Sequence, residues 1–144
     1  MELFTARYAD YDPAWGVAVR TTVGAPRGWR HWPLEHIRRV TPYGLLHIGN
    51  RDEFAERYIG RLERAGAQAI EQRLEAITDQ HAGRPLWLCC FDDLSKPGAW
   101  CHRTLLGEWL EEKLGVEVIE INKPSQSAQL RLSDTTSFQR GNRD

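Results

Sequence analysis

The sequence predicts an α/β fold: one small three-layer domain around a mainly parallel, Rossmann-like sheet, with a βαβ unit near its C-terminal end. Three observations carry this expectation. The run Leu86-Trp87-Leu88-Cys89-Cys90-Phe91 is continuously apolar and bounded by Pro85 and Asp92-Asp93, which is the pattern of a strand buried on both faces. After it, Leu105, Leu106, Trp109, Leu110 and Leu114 recur at helical spacing as far as Gly115, and Val116–Ile121 returns to strand composition. Finally, 144 residues with 41% hydrophobic and 27% charged side chains make one globular core and leave no room for two.

In chain order, Glu2–Tyr8 is rich in β-formers and reads as a strand, followed by a turn at Asp10-Tyr11-Asp12-Pro13. Gly16–Val23 reads as a second strand, because Val17, Val19 and Thr21 alternate with Ala18, Arg20 and Thr22. A loop through Gly24 and Gly28 follows, and Pro33 and Pro42 bound a short helix over Leu34–Arg39. Asp52 is placed to cap a long helix whose one face carries Phe54, Tyr58, Leu62 and Ala65. Gly66 interrupts it, and Ile70, Leu74 and Ile77 form the face of a second helix that Gly83 and Pro85 stop. The strand Leu86–Phe91 and Val116–Ile121 are expected as parallel neighbours joined by the helix that begins near Cys101. Residues 1–122 make the domain, and 123–144 form a polar tail that could order on a protein partner.

Composition narrows the function classes. Lys plus Arg number 19 and Asp plus Glu 20, so the net charge is −1, which argues against a wholly basic nucleic-acid binder. The total hides an asymmetry: residues 20–40 hold five Arg against one Glu, whereas residues 92–120 hold seven acids against three bases. No apolar run has the roughly 18 residues of a membrane span. The start Met1-Glu2-Leu3-Phe4-Thr5 lacks the regions of a signal peptide, so cytoplasmic residence is expected, with three reduced cysteines. Neither a metal nor a cofactor is called for, since a fourth ligand for zinc is not evident and no phosphate-loop motif occurs.

Chemistry-bearing residues cluster at one place in the pattern. A parallel strand delivers its C-terminal end to the edge where α/β folds bind ligands. Here that end carries Cys90, Phe91 and Asp92, and the next helix starts with Cys101-His102-Arg103, beside free backbone N–H groups. Each residue also has a plain alternative: Cys90 as core filler, Asp92 as a turn cap, Arg103 as a structural partner of Asp92 or Asp93. The segment Arg20, Arg27, Trp29, Arg30, Trp32 could close over this edge, aromatic rings stacking a base and arginines taking phosphate.

The blocks Leu88-Cys89-Cys90-Phe91-Asp92 and Gly98-Ala99-Trp100-Cys101-His102-Arg103, followed by Leu106 and Trp109, resemble the family called domain of unknown function 488, whose hallmark is Cys-x-acid at a strand end and Cys-His-Arg at a helix start. Asp92 stands where that family more often has Glu. The resemblance implies a small cytoplasmic α/β protein of the kind common in bacteria and phages, and implies no particular reaction.

The residues themselves suggest three functions. The first is a nucleotide- or nucleic-acid-processing enzyme, a hydrolase acting at an N-glycosidic bond. Asp92 would be nucleophile or oxocarbenium stabiliser, His102 acid or base, and Arg103 and Arg20 the phosphate holders, on a nucleotide, nucleoside or unpaired base. The second is a binding module for such a ligand or for a protein, without chemistry. The third is a thiol-dependent enzyme using Cys101, activated by the helix N-terminus and His102.

Overall fold

The computed structural model describes residues 1–121, so the expected tail and its expected partner lie outside the described residues. Five strands form one wholly parallel sheet: β1 (Leu3–Arg7), β2 (Val17–Arg20), β3 (Glu35–His36), β4 (Leu86–Cys90) and β5 (Val118–Ile121), in the order β3-β2-β4-β1-β5. Three helices, α1 (Arg51–Ala65), α2 (Ala67–Gln80) and α3 (His102–Leu114), complete it. The α/β class and the parallel sheet are as the sequence predicts. Among the described residues no helix is long and apolar enough to cross a membrane.

Three local expectations are corrected. First, β4 and β5 are parallel but not neighbours. The N-terminal strand β1 lies between them, pairing Leu3 with Leu86 on one side and with Val118 on the other. The βαβ crossover therefore steps over one strand, and β1, itself nearly all buried, takes the slot between them beside the central β4. Second, Leu34–Arg39 is not a helix. Glu35–His36 forms a two-residue edge strand on Val19–Arg20, and Arg38–Val40 makes a single 3-10 turn. Too few residues lie between Pro33 and Pro42 to offset helix nucleation, and the open edge of β2 offers hydrogen bonds at once. Third, the cap of α1 is Asn50, whose side chain accepts from the Glu53 N–H at 2.8 Å, while Asp52 sits in the first turn.

Strand order decides what covers each face. From β1 to β2 and from β2 to β3 the chain steps toward one edge; from β3 to β4 and from β4 to β5 it steps toward the other. Parallel strands are joined right-handedly, so steps in opposite directions pass over opposite faces. Both later steps contain helices, and all three helices pack on the face carrying Leu3, Val17, Val19, Leu86 and Leu88. The helical stripes are those read from the sequence: Phe54, Tyr58 and Leu62 from α1, Ile70, Leu74 and Ile77 from α2, Leu105, Leu106, Trp109 and Leu110 from α3.

Both earlier steps are loops. The third layer is therefore made of rings rather than helices: Tyr8, Tyr11 and Trp29 cover Phe4, Ala6, Ala18, Trp87 and Cys89. Trp87 stacks on Phe4 at 5.4 Å and meets the edge of Tyr11 at 5.8 Å, and Tyr11 stacks on Trp29 at 5.5 Å. Gly16 brings this loop onto the sheet, since a Cβ there would stand 2.4 Å from the Pro85 carbonyl oxygen.

Candidate functional site

The face reversal falls at β4. Its own connection leaves over the helical face, while those of its neighbours β1 and β2 leave over the loop face. Such a switch opens a crevice at the carboxyl end of the strands. Into it run the end of β4, the exposed residues Phe91 and Asp92, and the start of α3, with Cys101 as extended N-cap residue.

Period-two alternation sends Cys90 to the helical side and Cys89 to the aromatic side. Cys89 is a core residue whose thiol burial pushes up. Cys90 and Cys101 meet, with sulfurs 2.7 Å apart, closer than two sulfurs in ordinary contact and short of the about 2.05 Å of a disulfide. All three cysteines are free thiols, and Cys90 and Cys101 are only 1% and 2% exposed.

Their environments differ. Burial pushes the Cys90 thiol up, but the hydrogen bond with Cys101, the charge of Arg103 and the Asp92 backbone N–H outweigh it, so the net shift is downward. Cys101 is pushed up, chiefly by its bond to Cys90 and then by burial. Cys90 is thus the more acidic thiol of the pair, and the Cys101 S–H is placed to donate to it. An Arg103 N–H reaches the Cys90 sulfur at 2.8 Å and the Asp92 carbonyl at 2.7 Å. Arg103 is fully buried and held from behind by Glu120 on β5, which accepts from its Nε at 3.0 Å and from the other terminal nitrogen at 3.0 Å. Thr5 donates to the same carboxylate at 2.7 Å. This bidentate pair keeps the guanidinium charged within the core.

His102 lies on the other side of Cys101, with Nδ1 at 3.6 Å from the sulfur. Its Nε2 meets the Thr21 hydroxyl at 2.9 Å, and that hydroxyl donates to the Cys89 carbonyl at 2.8 Å. A hydroxyl has one proton, so Thr21 presents a lone pair to His102, Nε2 carries the ring hydrogen and Nδ1 is bare. The Tyr58 ring packs edge-on against the imidazole at 5.7 Å. Burial holds the His102 pKa down to about 4, so the ring is neutral.

The structure brings Asp92, Cys101, His102 and Arg103 to one place, as the sequence suggested, and adds Cys90 as the more acidic thiol. It does not bring the basic aromatic segment there. Arg20 shares the face of Ala18, opposite Cys90, and its guanidinium donates to the carbonyls of Thr22 and Val23. Trp29 packs between Tyr8, Tyr11 and His31. Trp32 is 68% exposed and borders a cavity of about 100 Å³ with Val17, His81 and Arg84, at the amino end of the strands. That volume is below the roughly 300–1,000 Å³ of ordinary ligand sites. Arg27 and Arg30 are exposed. Arg103 is no open phosphate holder, because its N–H groups are spent on Cys90, Asp92 and Glu120.

Sequence reasoning missed Glu120, Thr21 and Thr5. Glu120 left a signal, an acid between the isoleucines of a strand; Thr21 and Thr5 left none, since hydroxyls are ordinary in strands. One further capacity is present: the Cys90 and Cys101 sulfurs and an Asp92 carboxylate oxygen lie within 4.8 Å of one another, a donor set able to hold a metal ion. No family model, curated protein or solved structure matches the chain. The resemblance to domain of unknown function 488 rests on the quoted residues alone.

Proposed function

We propose that the protein is a thiol-dependent oxidoreductase that cycles Cys90 and Cys101 between dithiol and disulfide. The observation that carries this reading is the 2.7 Å approach of the two sulfurs, with Arg103 bonded to one of them only. The asymmetry assigns roles. The Cys90 thiolate attacks one sulfur of a substrate disulfide, that S–S bond breaks, and a thiolate leaves. Cys101 then attacks the Cys90 sulfur of the mixed disulfide, its proton passing to the second leaving thiolate. The substrate gains two electrons and becomes two thiols; the protein loses them and closes the Cys90–Cys101 bond, which an external thiol reopens. Cys90 rather than Cys101 is thus the attacking group, because a thiol that donates a hydrogen bond to a neighbouring thiolate is the poorer nucleophile. Both sulfurs are buried, so exchange requires the loop over residues 91–100 to open.

Treating the reduced protein with a small disulfide such as hydroxyethyl disulfide tests this. The expected product has lost two hydrogens by mass and links Cys90 to Cys101 in a peptide digest. Cys101→Ser is expected to stop at the mixed disulfide on Cys90, and Cys90→Ser to react little. A wild-type protein that keeps all three thiols under these conditions overturns the proposal.

A second reading, action on a nucleotide at its N-glycosidic bond, is favoured by one observation: the Asp92 side chain is exposed beside the buried thiols, at the switch point of the sheet. Mass spectrometry of a nucleotide panel after incubation, with Asp92→Asn as control, tests it. Cleavage that Asp92→Asn abolishes supports this reading, and an unaltered panel rejects it.

A further inference from the structure

The pair Cys90–Cys101 does not stand alone, and its neighbours suit a second occupant. The two sulfurs and the Asp92 carboxylate lie within 4.8 Å of one another. Around a tetrahedral zinc ion, with Zn–S of about 2.3 Å and Zn–O of about 2.0–2.2 Å, ligand atoms stand roughly 3.5–3.8 Å apart. The carboxylate oxygen lies within 4.8 Å of both sulfurs, and the sulfurs need to part by about 1 Å to reach that spacing. Next to Cys101, His102 turns a bare Nδ1 toward the sulfur at 3.6 Å. Its ring does not come within 4.8 Å of the whole donor set, so the three residues Cys90, Cys101 and Asp92 make the site.

The outer contacts agree. Arg103 donates to the Cys90 sulfur and is balanced by Glu120, so its charge is met within the protein. Two thiolates and a carboxylate bring three negative charges to a divalent ion, and the guanidinium bond disperses the excess.

We infer that the reduced protein binds one thiophilic divalent cation, of which zinc is the type, through Cys90, Cys101 and Asp92, with the fourth position left to water or a small ligand. The inference builds on the dithiol of the preceding section and adds regulation. Metal and disulfide are mutually exclusive states of the same sulfurs, so the cation shields the dithiol and oxidation releases it. Two thiolates and one carboxylate select a borderline-soft ion over magnesium or calcium, which take oxygen ligands.

The test uses the full chain, reduced and freed of metal by a chelator, then titrated with Co²⁺ as a spectroscopic stand-in and with Zn²⁺ in competition. One equivalent of Co²⁺ is expected to give the near-ultraviolet charge-transfer absorption of thiolate–cobalt bonds, bleached by one equivalent of Zn²⁺. Cys90→Ser and Cys101→Ser are each expected to remove that absorption. Protein carrying the Cys90–Cys101 disulfide is expected to bind none. No thiolate–cobalt absorption, or absorption that survives both cysteine substitutions, overturns the inference. Repeating the small-disulfide reaction with chelator present separates the two claims. Cobalt binding without disulfide formation removes the proposed activity alone, and disulfide formation without cobalt binding removes the metal site alone.

Discussion

The two faces of the sheet are built by different means. On the helical face, α1, α2 and α3 present regular stripes, mostly Leu and Ile with Phe54, Tyr58 and Trp109, that meet the branched residues of the strands. On the other face, two loops hold down a few large rings, among them Tyr8, Tyr11 and Trp29. A loop has no repeating stripe, so it must cover area with few side chains, and aromatic residues bury the most area each. This accounts for part of the unusual tryptophan content: of six Trp, Trp15, Trp29 and Trp87 belong to the ring layer, and Trp100 and Trp109 pack with the helical side. The difference teaches that the direction of each strand-to-strand step decides which face a connection covers, and the composition of that connection decides the chemistry of the core beneath.

The comparison can be broken by truncating one residue on each face. Trp87 is fully buried and bridges Phe4, Tyr11 and Trp15. Trp87→Ala is expected to cost about 3–5 kcal/mol in urea unfolding. A loss below about 1 kcal/mol would make the ring layer a mere cover over a core built by the helices. Leu74→Ala, on the other face, is expected to cost about 2–5 kcal/mol by the same measurement, which puts the two faces on equal terms. Tyr11→Phe sharpens the contrast. It keeps the ring and removes the 2.7 Å bond to the Gly16 carbonyl that pins the loop, with an expected cost of about 1–3 kcal/mol for the buried acceptor left behind. Tyr11→Phe without effect would leave shape alone to hold the layer.

The smallest effect is expected at Trp32. It is the most exposed large apolar residue among the described residues, so Trp32→Ala is expected to change stability by at most about 0.5 kcal/mol. A fall in melting temperature comparable to that of Trp87→Ala would place Trp32 in the core instead. The same variant separates the surface from the thiol site, since β4, five residues long, spans roughly 13 Å between the two ends of the sheet. Its disulfide formation is expected to match the wild type.

The legible parts of the fold were those with strong local signals. The apolar run that became β4, the three helical stripes and the stops at Gly66 and Gly115 depend on burial period and on backbone freedom, both written into neighbouring residues. The segment between Pro33 and Pro42 misled, because an edge strand of two residues has no period to read. The neighbour of β5 misled for another reason. Helix α3 joins β4 to β5, but the slot beside β4 was open to any buried strand, and β1 filled it from the far end of the chain.

The same division runs through the site. The sequence by itself determined that two thiols, a carboxylate, an imidazole and a guanidinium gather at one strand end, because a buried strand followed at once by a helix leaves them nowhere else to go. It did not determine which thiol is the more acidic. That was decided by Glu120 and Thr5, which turn Arg103 onto Cys90, and by Thr21 of the second connection, which orients His102 beside Cys101. These partners lie 17 to 115 residues from the groups they hold. Only strand order sets such distances, and ionisation responds to what stands within a few ångströms in space, whatever the separation along the chain.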